Sequence, residues 1–406
     1  MNRRIKTLSS WYSLIVFLVS LGPTAIAQWT AEEDAQYVQR FLEKFPEVSP
    51  IPEWKEFASP QRYDELFMGK GFDSSLQNVD NESGGMAWGL AYRMMSLNEM
   101  YRVTKDRKYL DANLKCIRAG LAARDDVRSK KLWTGEIAPI WGCSKYTPRG
   151  RAVFAVHTGM IVYPILDCLA LVQGDGTFGV EMELELESMQ RRAIESLEFH
   201  DRQWRAGSAD GEGHYVGLNQ EEILDDKPLP GNRLSAMGRA LWSAWKLTGK
   251  ELYRHKALAI GQYIKNRLIV APDGAYYWGY WLAAEPVTES LPKEKVDGED
   301  ISHGSLTMDL PILLALEDQV FTAEEMKRLG KTITNGFTRL NNGVLFGDVT
   351  GNPKSNPALV QSPGRWLSVA PYAPEIVPRL REFYLKYHPK PDALDMALLL
   401  KHQPQP

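Results

Sequence analysis

Apolar residues recur every three to four positions along most of the chain, the spacing that places them on one face of an α-helix. A very apolar stretch is followed each time by a short turn and then by a more amphipathic stretch, which predicts repeated pairs of helices. Two of the turns match one another, since segments 101–109 and 245–253 align without a gap. The four clearest pairs are 86–104 with 107–123, 154–172 with 181–200, 234–248 with 251–268, and 303–318 with 323–337.

Repeated helical pairs must stack to bury their apolar faces, and they form either an open solenoid or a closed toroid. The turns inside the pairs are short, whereas the connections between pairs, at 124–153, 201–233, 269–302 and 338–371, are long. Because the helices of a pair are antiparallel, all the long connections emerge at one face, and long loops on one face are typical of function. The sequence therefore predicts an all-α fold, an (α/α)6 or (α/α)7 toroid, as a single catalytic domain over residues 28–406.

The first 27 residues have the pattern of a cleaved secretory signal peptide. Basic residues at positions 3, 4 and 6 precede a short apolar run at 14–21, and small residues at 25–27 precede Gln28. We expect the mature chain to be periplasmic or secreted and not to be held in a membrane.

The amino-acid composition limits which kinds of partner and cofactor we expect for this chain. The 406 residues are 44% apolar with a formal net charge of −3, which indicates a globular protein and argues against nucleic-acid binding. Three cysteines give neither a disulfide framework nor a metal knuckle, and no zinc or nucleotide-binding motif is present in the sequence. We predict no metal and no cofactor.

Aromatic and basic residues are concentrated in the long loops. Flat aromatic rings pack against the C–H faces of sugars, and arginine binds carboxylates with two parallel hydrogen bonds, so these loops predict a groove for an anionic polysaccharide or oligosaccharide. The candidate substrate-binding residues of this kind are Trp141, Arg151, Tyr215, Tyr276, Trp278, Trp281 and Arg365.

Polar residues also stand where the apolar helices begin, and the toroid would bring these positions to one cavity. They are Glu82, His157, Asn232, Arg233 and His303, with His214 in the long loop that precedes the third of these helices.

The matching turns, segment 149–158 and segment 299–304 (EDISHG) resemble the α/α toroid carbohydrate-active enzymes. The chain is most similar to polysaccharide lyase family 38, whose members cleave β-1,4-linked uronate polymers such as glucuronan and polymannuronate. The resemblance implies a catalytic tyrosine assisted by histidine, arginine and an acidic residue, and the aromatic run 276–281 is where that tyrosine is expected.

Elimination beside a uronate carboxylate removes the C5 proton and expels the C4 oxygen, so the carboxylate must be neutralised while one group acts as base and then as acid. Tyr280 is our candidate for that group, and its neighbours Tyr277 and Tyr276 are not distinguished from it. His157, His214 and Arg233 are candidates for neutralising the carboxylate, followed by His303, while Glu82 and Glu221 could supply acid contacts.

Three alternatives remain open on the sequence. A toroid glycoside hydrolase acting on oligosaccharides that contain uronic acid needs two carboxyl groups. The long loops offer Glu82, Glu136, Asp210, Glu212, Glu221, Glu222 and Asp300. A uronyl C5-epimerase would remove the same proton and return it to the opposite face, and a binding module would hold the saccharide without turnover.

Overall fold

The structure, a computed structural model, describes residues 29–217, 226–388 and 390–403. The predicted signal peptide and the candidates Glu221 and Glu222 lie outside the described residues. The α-helices in chain order are α1 Ala31–Lys44, α2 Trp54–Phe57, α3 Pro60–Phe67, α4 Phe72–Ser75, α5 Ala91–Thr104, α6 Lys108–Ala122, α7 Asp125–Arg128, α8 Ala155–Asp175, α9 Glu183–Glu198, α10 Gly231–Thr248, α11 Glu251–Lys265, α12 Ile301–Ala315, α13 Ala323–Lys331, α14 Ile376–Tyr387 and α15 Ala393–Lys401.

Shorter elements complete this description. The π-helical segments Met86–Leu90 and Thr332–Phe337 precede α5 and follow α13, and the antiparallel two-stranded sheets pair β1 Trp204–Ala206 with β2 Gly213–Tyr215, and β3 Ile269–Val270 with β4 Tyr276–Tyr277. The 3-10 helices are Val180–Met182, Phe199–Gln203, Lys293–Lys295, Pro357–Leu359 and Pro363–Val369.

Six elements form a closed inner ring. Helix α5 packs on α8, α8 on α10, α10 on α12, α12 on the 3-10 helix Pro363–Val369, that helix on α15, and α15 back on α5. The outer layer consists of α6, α9, α11, α13, α14 and α3, each packed on the inner ring. The predicted α/α toroid is confirmed, and six inner elements are found among the described residues.

The two layers differ in the way predicted by their apolar patterns. Helix α8 is apolar on all sides and is long and apolar enough to cross a membrane, yet 78% of its apolar window is buried inside the protein. The outer helix α9 buries one stripe, including Leu186, Met189, Ala193 and Leu197. Helix α8 is enclosed by neighbours, which explains why its sequence lacks a polar face.

The sixth inner element differs from the sequence prediction. Segment 363–369 falls inside a predicted long loop, because a 3-10 helix of only 7 residues is too short to produce a helical period. Helix α12 also begins two residues before the predicted start, at Ile301, since the side chain of Asp300 accepts hydrogen bonds from the backbone N–H groups of Ser302 and His303 and caps the helix.

Candidate active site

The end of the ring at which the inner helices begin is called here the long-loop face. Helix α10 packs between α8 and α12, so the starts of these three helices are neighbours at that face. His157, Arg233 and His303 lie in the first turns of α8, α10 and α12, respectively. The structure therefore brings these three residues, far apart in sequence, to adjacent positions on one side of the ring.

His157 is a buried, neutral imidazole. The side-chain amide of Asn81 donates to the carbonyl of Trp141 at 3.0 Å and lies 3.2 Å from His157 Nδ1, so Nδ1 accepts and Nε2 carries the proton. Burial, with a smaller contribution from the positive charge of Arg233, lowers the pKa of His157 to about 3. The His157 side chain can donate a hydrogen bond at neutral pH but carries no charge.

Glu299 supplies a buried carboxyl group immediately before α12. Its Oε2 accepts hydrogen bonds from Trp278 Nε1 at 2.6 Å and from Thr307 Oγ1 at 2.7 Å, and its Oε1 has no hydrogen-bond partner among the described residues. Glu299 is 1% exposed, and this burial, with the nearby charge of Asp300 as a smaller cause, raises its pKa to about 8. At neutral pH Glu299 is therefore a carboxylic acid that holds a proton.

Asp300 follows directly in a different environment. Its Oδ1 caps α12 through two backbone hydrogen bonds of 3.1 Å, and its Oδ2 lies 2.5 Å from Nδ1 of the exposed His303. The ring of Tyr280 packs edge-on against His303, with 5.3 Å between ring centroids, and the next residue, Trp281, is 51% exposed. Two neighbouring carboxyl groups thus stand at the start of one inner helix, one enclosed and one with its side chain 17% exposed on the long-loop face.

Glu82 and Arg151 form a bracing network on the same face. Glu82 accepts from Lys130 at 2.7 Å and from Arg151 Nε at 2.9 Å, and Arg151 also donates to the buried Asp125 at 2.6 Å. Partial burial favours the neutral form of Glu82, but the hydrogen bonds from Lys130 and Arg151 outweigh it and lower its pKa. These contacts fix the loop 124–153 to the segment before α5, so both residues have a structural role here.

The other tyrosines of the aromatic run lie elsewhere. Tyr276 and Tyr277 form β4, which packs on the outer helix α13, and the hydroxyl of Tyr277 donates to Asp273 at 3.2 Å. Burial raises the pKa of Tyr276 to about 12 and moves the pKa of Tyr277 in the same direction. A tyrosine base needs a lowered pKa, so the structure does not favour Tyr276 or Tyr277 in that role.

Several predicted sugar-binding side chains belong to the core. Trp141 donates to the carbonyl of Gly120 at 2.8 Å, Trp278 donates to Glu299, and Tyr215 is fully buried. These three rings cannot stack on a substrate, and Asn232 is likewise buried. The exposed aromatic rings of the long-loop face are Trp281, Trp133 and Tyr146, of which the latter two are 40% and 42% exposed.

Two further candidates are separated from the starts of the inner helices. The His214 ring, on β2, packs on Tyr263 of the outer helix α11 at 4.9 Å between centroids. The guanidinium of Arg365 lies 3.6 Å from the centroid of the Tyr92 ring and lines a cavity at the opposite end of the ring. Neither residue joins the group formed by His157, Arg233, Glu299 and His303.

Glu299 was not among the candidates predicted from the sequence, although the sequence carries a signal for it. Glu299 and Asp300 are adjacent acids just before an apolar helix, and only the packing of Trp278 and Thr307 around Glu299 distinguishes their environments. Across residues 29–217, 226–388 and 390–403, no group of three or more His, Cys, Asp or Glu side chains is arranged to hold a metal ion.

No protein-family model and no curated protein matches the chain. Among solved structures, it is similar to GH76A, an alpha-1,6-mannanase of Salegentibacter sp. HEL1_6, and to two inactive variants of that enzyme in complex with alpha-1,6-mannotetrose and alpha-1,6-mannotriose. The identity is 12%, the matches cover 86% of this chain and 98% of the mannanase chain, and the TM-scores are 0.44, 0.44 and 0.43.

These similar structures are those of a glycoside hydrolase, a finding that contradicts the carbon–oxygen lyase expected from the sequence. The predicted carbon–oxygen lyase, its glucuronan or alginate substrate and the resemblance to polysaccharide lyase family 38 are therefore not retained.

Proposed function

We propose that the chain is a glycoside hydrolase that acts on a polysaccharide at the long-loop face. The observation that supports this proposal is the adjacent pair Glu299 and Asp300. Hydrolysis of a glycosidic bond by two carboxyl groups requires one that is protonated and one that is ionised at the same pH. Burial holds the proton on Glu299, with a pKa of about 8, while the partly exposed Asp300 accepts hydrogen bonds from two backbone N–H groups.

The proposed reaction assigns one role to each carboxyl group. Glu299 gives its proton to the leaving glycosidic oxygen. Its Oε1 has no partner in the described part of the chain and is enclosed, so the proposed transfer requires substrate binding to open the contacts around it. Asp300 takes a proton from the water whose oxygen bonds to the anomeric carbon as the glycosidic bond breaks. His303, at 2.5 Å from Asp300 Oδ2, positions that carboxylate, and Tyr280 holds the His303 ring edge-on.

We further propose that the substrate contains an acidic sugar. Trp281, Trp133 and Tyr146 offer exposed aromatic surface for sugar rings, and the guanidinium of Arg149 lies 5.4 Å from the Trp133 ring centroid. Arg233 adds positive charge beside the neutral His157. Arginine beside an aromatic platform favours a sugar carboxylate over an uncharged ring, and the predicted signal peptide supports action outside the cytoplasm.

The test measures new reducing ends after incubation with uronate-containing polysaccharides and with neutral mannans. We expect reducing ends without the ultraviolet absorbance of an unsaturated uronate, because water adds across the bond. Asp300→Asn and Glu299→Gln should each lower kcat by about 10²- to 10⁴-fold.

Asp297→Asn is the matched control, since Asp297 is an exposed acid in the same loop and should leave kcat unchanged. Folding of all variants is checked by thermal unfolding. Full activity of both Asp300→Asn and Glu299→Gln would refute the assigned pair, and absorbance of an unsaturated product would refute hydrolysis.

A further inference from the structure

The start of helix α8 carries hydrogen-bond donors that have no acceptor in the described part of the chain. Its N-cap is Phe154, whose side chain cannot accept a hydrogen bond. The backbone N–H groups of residues 155, 156 and 157 have no partner among the described residues, although all three residues are buried. Buried donors are almost always satisfied, so this helix start indicates an acceptor that comes from a bound molecule.

His157, in the same turn, adds a side-chain donor. The amide of Asn81 is fixed in one orientation, because its Oδ1 accepts from the backbone N–H of Ala87 at 3.3 Å. Its Nδ2 therefore faces Nδ1 of His157, which leaves the imidazole proton on Nε2. His157 is 2% exposed, and its Nε2 keeps contact with solvent but has no hydrogen-bond partner among the described residues. A nearly buried side chain thus presents one unused donor at the start of α8.

His200 shows how a structural histidine of the same core is held. It is also buried, but its Nε2 lies 2.8 Å from Thr158 Oγ1 and its Nδ1 bonds to Gln203 Oε1. Both ring nitrogens of His200 are therefore satisfied inside the protein. Support of the fold accounts in the same way for Nδ1 of His157, but it does not account for Nε2.

The charges around this helix start favour a negatively charged ligand. The helix dipole places partial positive charge at the start of α8. Burial and then the positive charge of Arg233 lower the pKa of His157, and no acidic side chain of the described residues contributes. The Nζ of Lys145 lies 5.3 Å from the ring centroid of Tyr146, which packs against His157 with 5.6 Å between ring centroids.

We propose that the start of α8 binds the carboxylate of an acidic sugar and that His157 donates to it from Nε2. A carboxylate offers only acceptors to these donors, whereas the hydroxyl groups of a neutral sugar bring donors of their own. Tyr146, which is 42% exposed beside His157, provides a flat surface for the same sugar ring. This site rests on the proposed function, because it names the substrate group that is recognised at the long-loop face. His157 binds substrate and takes no part in the proton transfers.

The test compares oligosaccharides that differ only in their carboxyl groups. The pairs are β-1,4-linked tetraglucuronate with cellotetraose, and tetramannuronate with β-1,4-mannotetraose. Binding is measured by titration calorimetry with the full chain carrying Asp300→Asn, so that no oligosaccharide is hydrolysed. We expect at least one uronate to bind about tenfold or more tightly than its neutral counterpart, the factor that corresponds to a hydrogen bond to a charged group.

Glutamine and asparagine at position 157 separate the two nitrogens of the imidazole. His157→Gln keeps an amide donor near the position of Nε2, whereas His157→Asn keeps a polar atom near Nδ1 and removes that donor. In the Asp300→Asn chain we expect His157→Asn to abolish the preference for the uronate and His157→Gln to keep most of it. His200→Asn is the matched control, since both nitrogens of His200 are partnered inside the protein, and it should leave the preference unaltered. Thermal unfolding checks that each variant is folded.

Failure of both uronates to bind more tightly than their neutral counterparts would overturn the proposal, as would a preference that survives in His157→Asn. Equal losses in His157→Gln and His157→Asn would exclude Nε2 as the donor. Nitrogen NMR of the free protein needs no ligand, and a proton on Nδ1 of His157 would contradict the assigned donor. Because binding is measured without turnover, a chain that prefers uronates but hydrolyses no polysaccharide would refute the hydrolase and retain this site.

Discussion

Glu299 gives the free energy of unfolding a defined pH dependence. The unfolded chain releases this proton near pH 4.5, whereas burial raises the pKa of Glu299 in the folded protein to about 8. The folded state therefore holds an extra proton between these values, so the contribution of Glu299 to stability is complete below pH 4.5 and falls as pH rises. The expected loss is about 1.4 kcal/mol for each pH unit up to pH 8, with no further change above it.

Glu299→Gln should remove this slope, because glutamine does not titrate. The measurement is urea unfolding at several pH values between 5 and 9, with the difference between wild type and variant plotted against pH. Subtracting the two curves cancels other groups, including His157, whose pKa is lowered to about 3. Asp297→Asn serves as the control and should keep the wild-type slope; an equal slope in Glu299→Gln would contradict the assigned buried acid.

For a single residue, its position along a helix was predictable from the sequence, but its burial was not. His157, Arg233 and His303 were found because they stand at the starts of apolar helices, and the ring places those starts together. In the run 276–281 five of the six residues are aromatic, so nothing in the sequence separates the buried Tyr277 from the exposed Trp281. That difference depends on contacts with α13, far along the chain.

At the scale of elements, the closest approach of two inner helices depends on one glycine. A Cβ atom at Gly159 of α8 would lie 2.6 Å from the backbone of Ala236 in α10, and backbone atoms cannot rotate away. We expect Gly159→Ala to destabilise the protein by about 1–3 kcal/mol or more, because the helices must separate. Urea unfolding of the wild type and of Gly159→Ala measures this loss of stability.

Gly174 is the matched control in the same helix, with no atom within 4 Å of its added Cβ. Gly174→Ala should be neutral or stabilising by up to about 1 kcal/mol, the difference in helix propensity between the two residues. Equal effects of the two substitutions would show that the packing of α8 on α10 does not require the glycine.

A buried ion pair links the hairpin formed by β1 and β2 to the residues that follow α11. Arg267 Nη1 lies 2.8 Å from Glu212 Oε1, and the two side chains are 1% and 0% exposed. Glu212→Ala should cost about 3–5 kcal/mol, because it leaves the guanidinium buried without its partner. Replacing both residues, Glu212→Leu with Arg267→Met, should cost less than Glu212→Ala alone.

Thermal unfolding of the wild type, Glu212→Ala and the double variant tests this order. Hydrolysis is then measured at a temperature below the lowest of the three unfolding midpoints. Glu212 was one of the acids considered from the sequence for hydrolysis. Its pairing with Arg267 predicts that a folded Glu212→Ala keeps its kcat. Loss of kcat in the folded variant would place Glu212 in the reaction.

The helical pairs were predictable because apolar residues repeat every three to four positions within each helix. Closure of the ring instead depends on contacts between residues far apart in sequence. The contact between α15 and α5 that closes the ring includes the pair Lys401 and Glu99, which are 302 residues apart. Loop lengths favoured a toroid, but neither the number of inner elements nor the use of segment 363–369 as one of them follows from periodicity. Both depend on the space that the other helices leave.

Closure of the ring predicts that α15 is essential to the whole fold. In an open array, removal of a terminal helix costs one interface, but here α5 and segment 363–369 would both lose a neighbour. The buried apolar side chains of α15 include Leu394, Met396, Leu398, Leu399 and Leu400. At roughly 1.5–3 kcal/mol each they contribute about as much as the 5–15 kcal/mol by which a typical protein is stable.

A chain ending at Pro391 should therefore show no cooperative unfolding transition in urea. Lys401→Ala is the control for the same helix, since it removes only the ion pair with Glu99 and should cost no more than about 1 kcal/mol. A truncated chain that keeps the wild-type midpoint and the wild-type urea dependence would mean that the remaining five inner elements are stable as an open array. The ring would then be a consequence of stacking and not the source of stability.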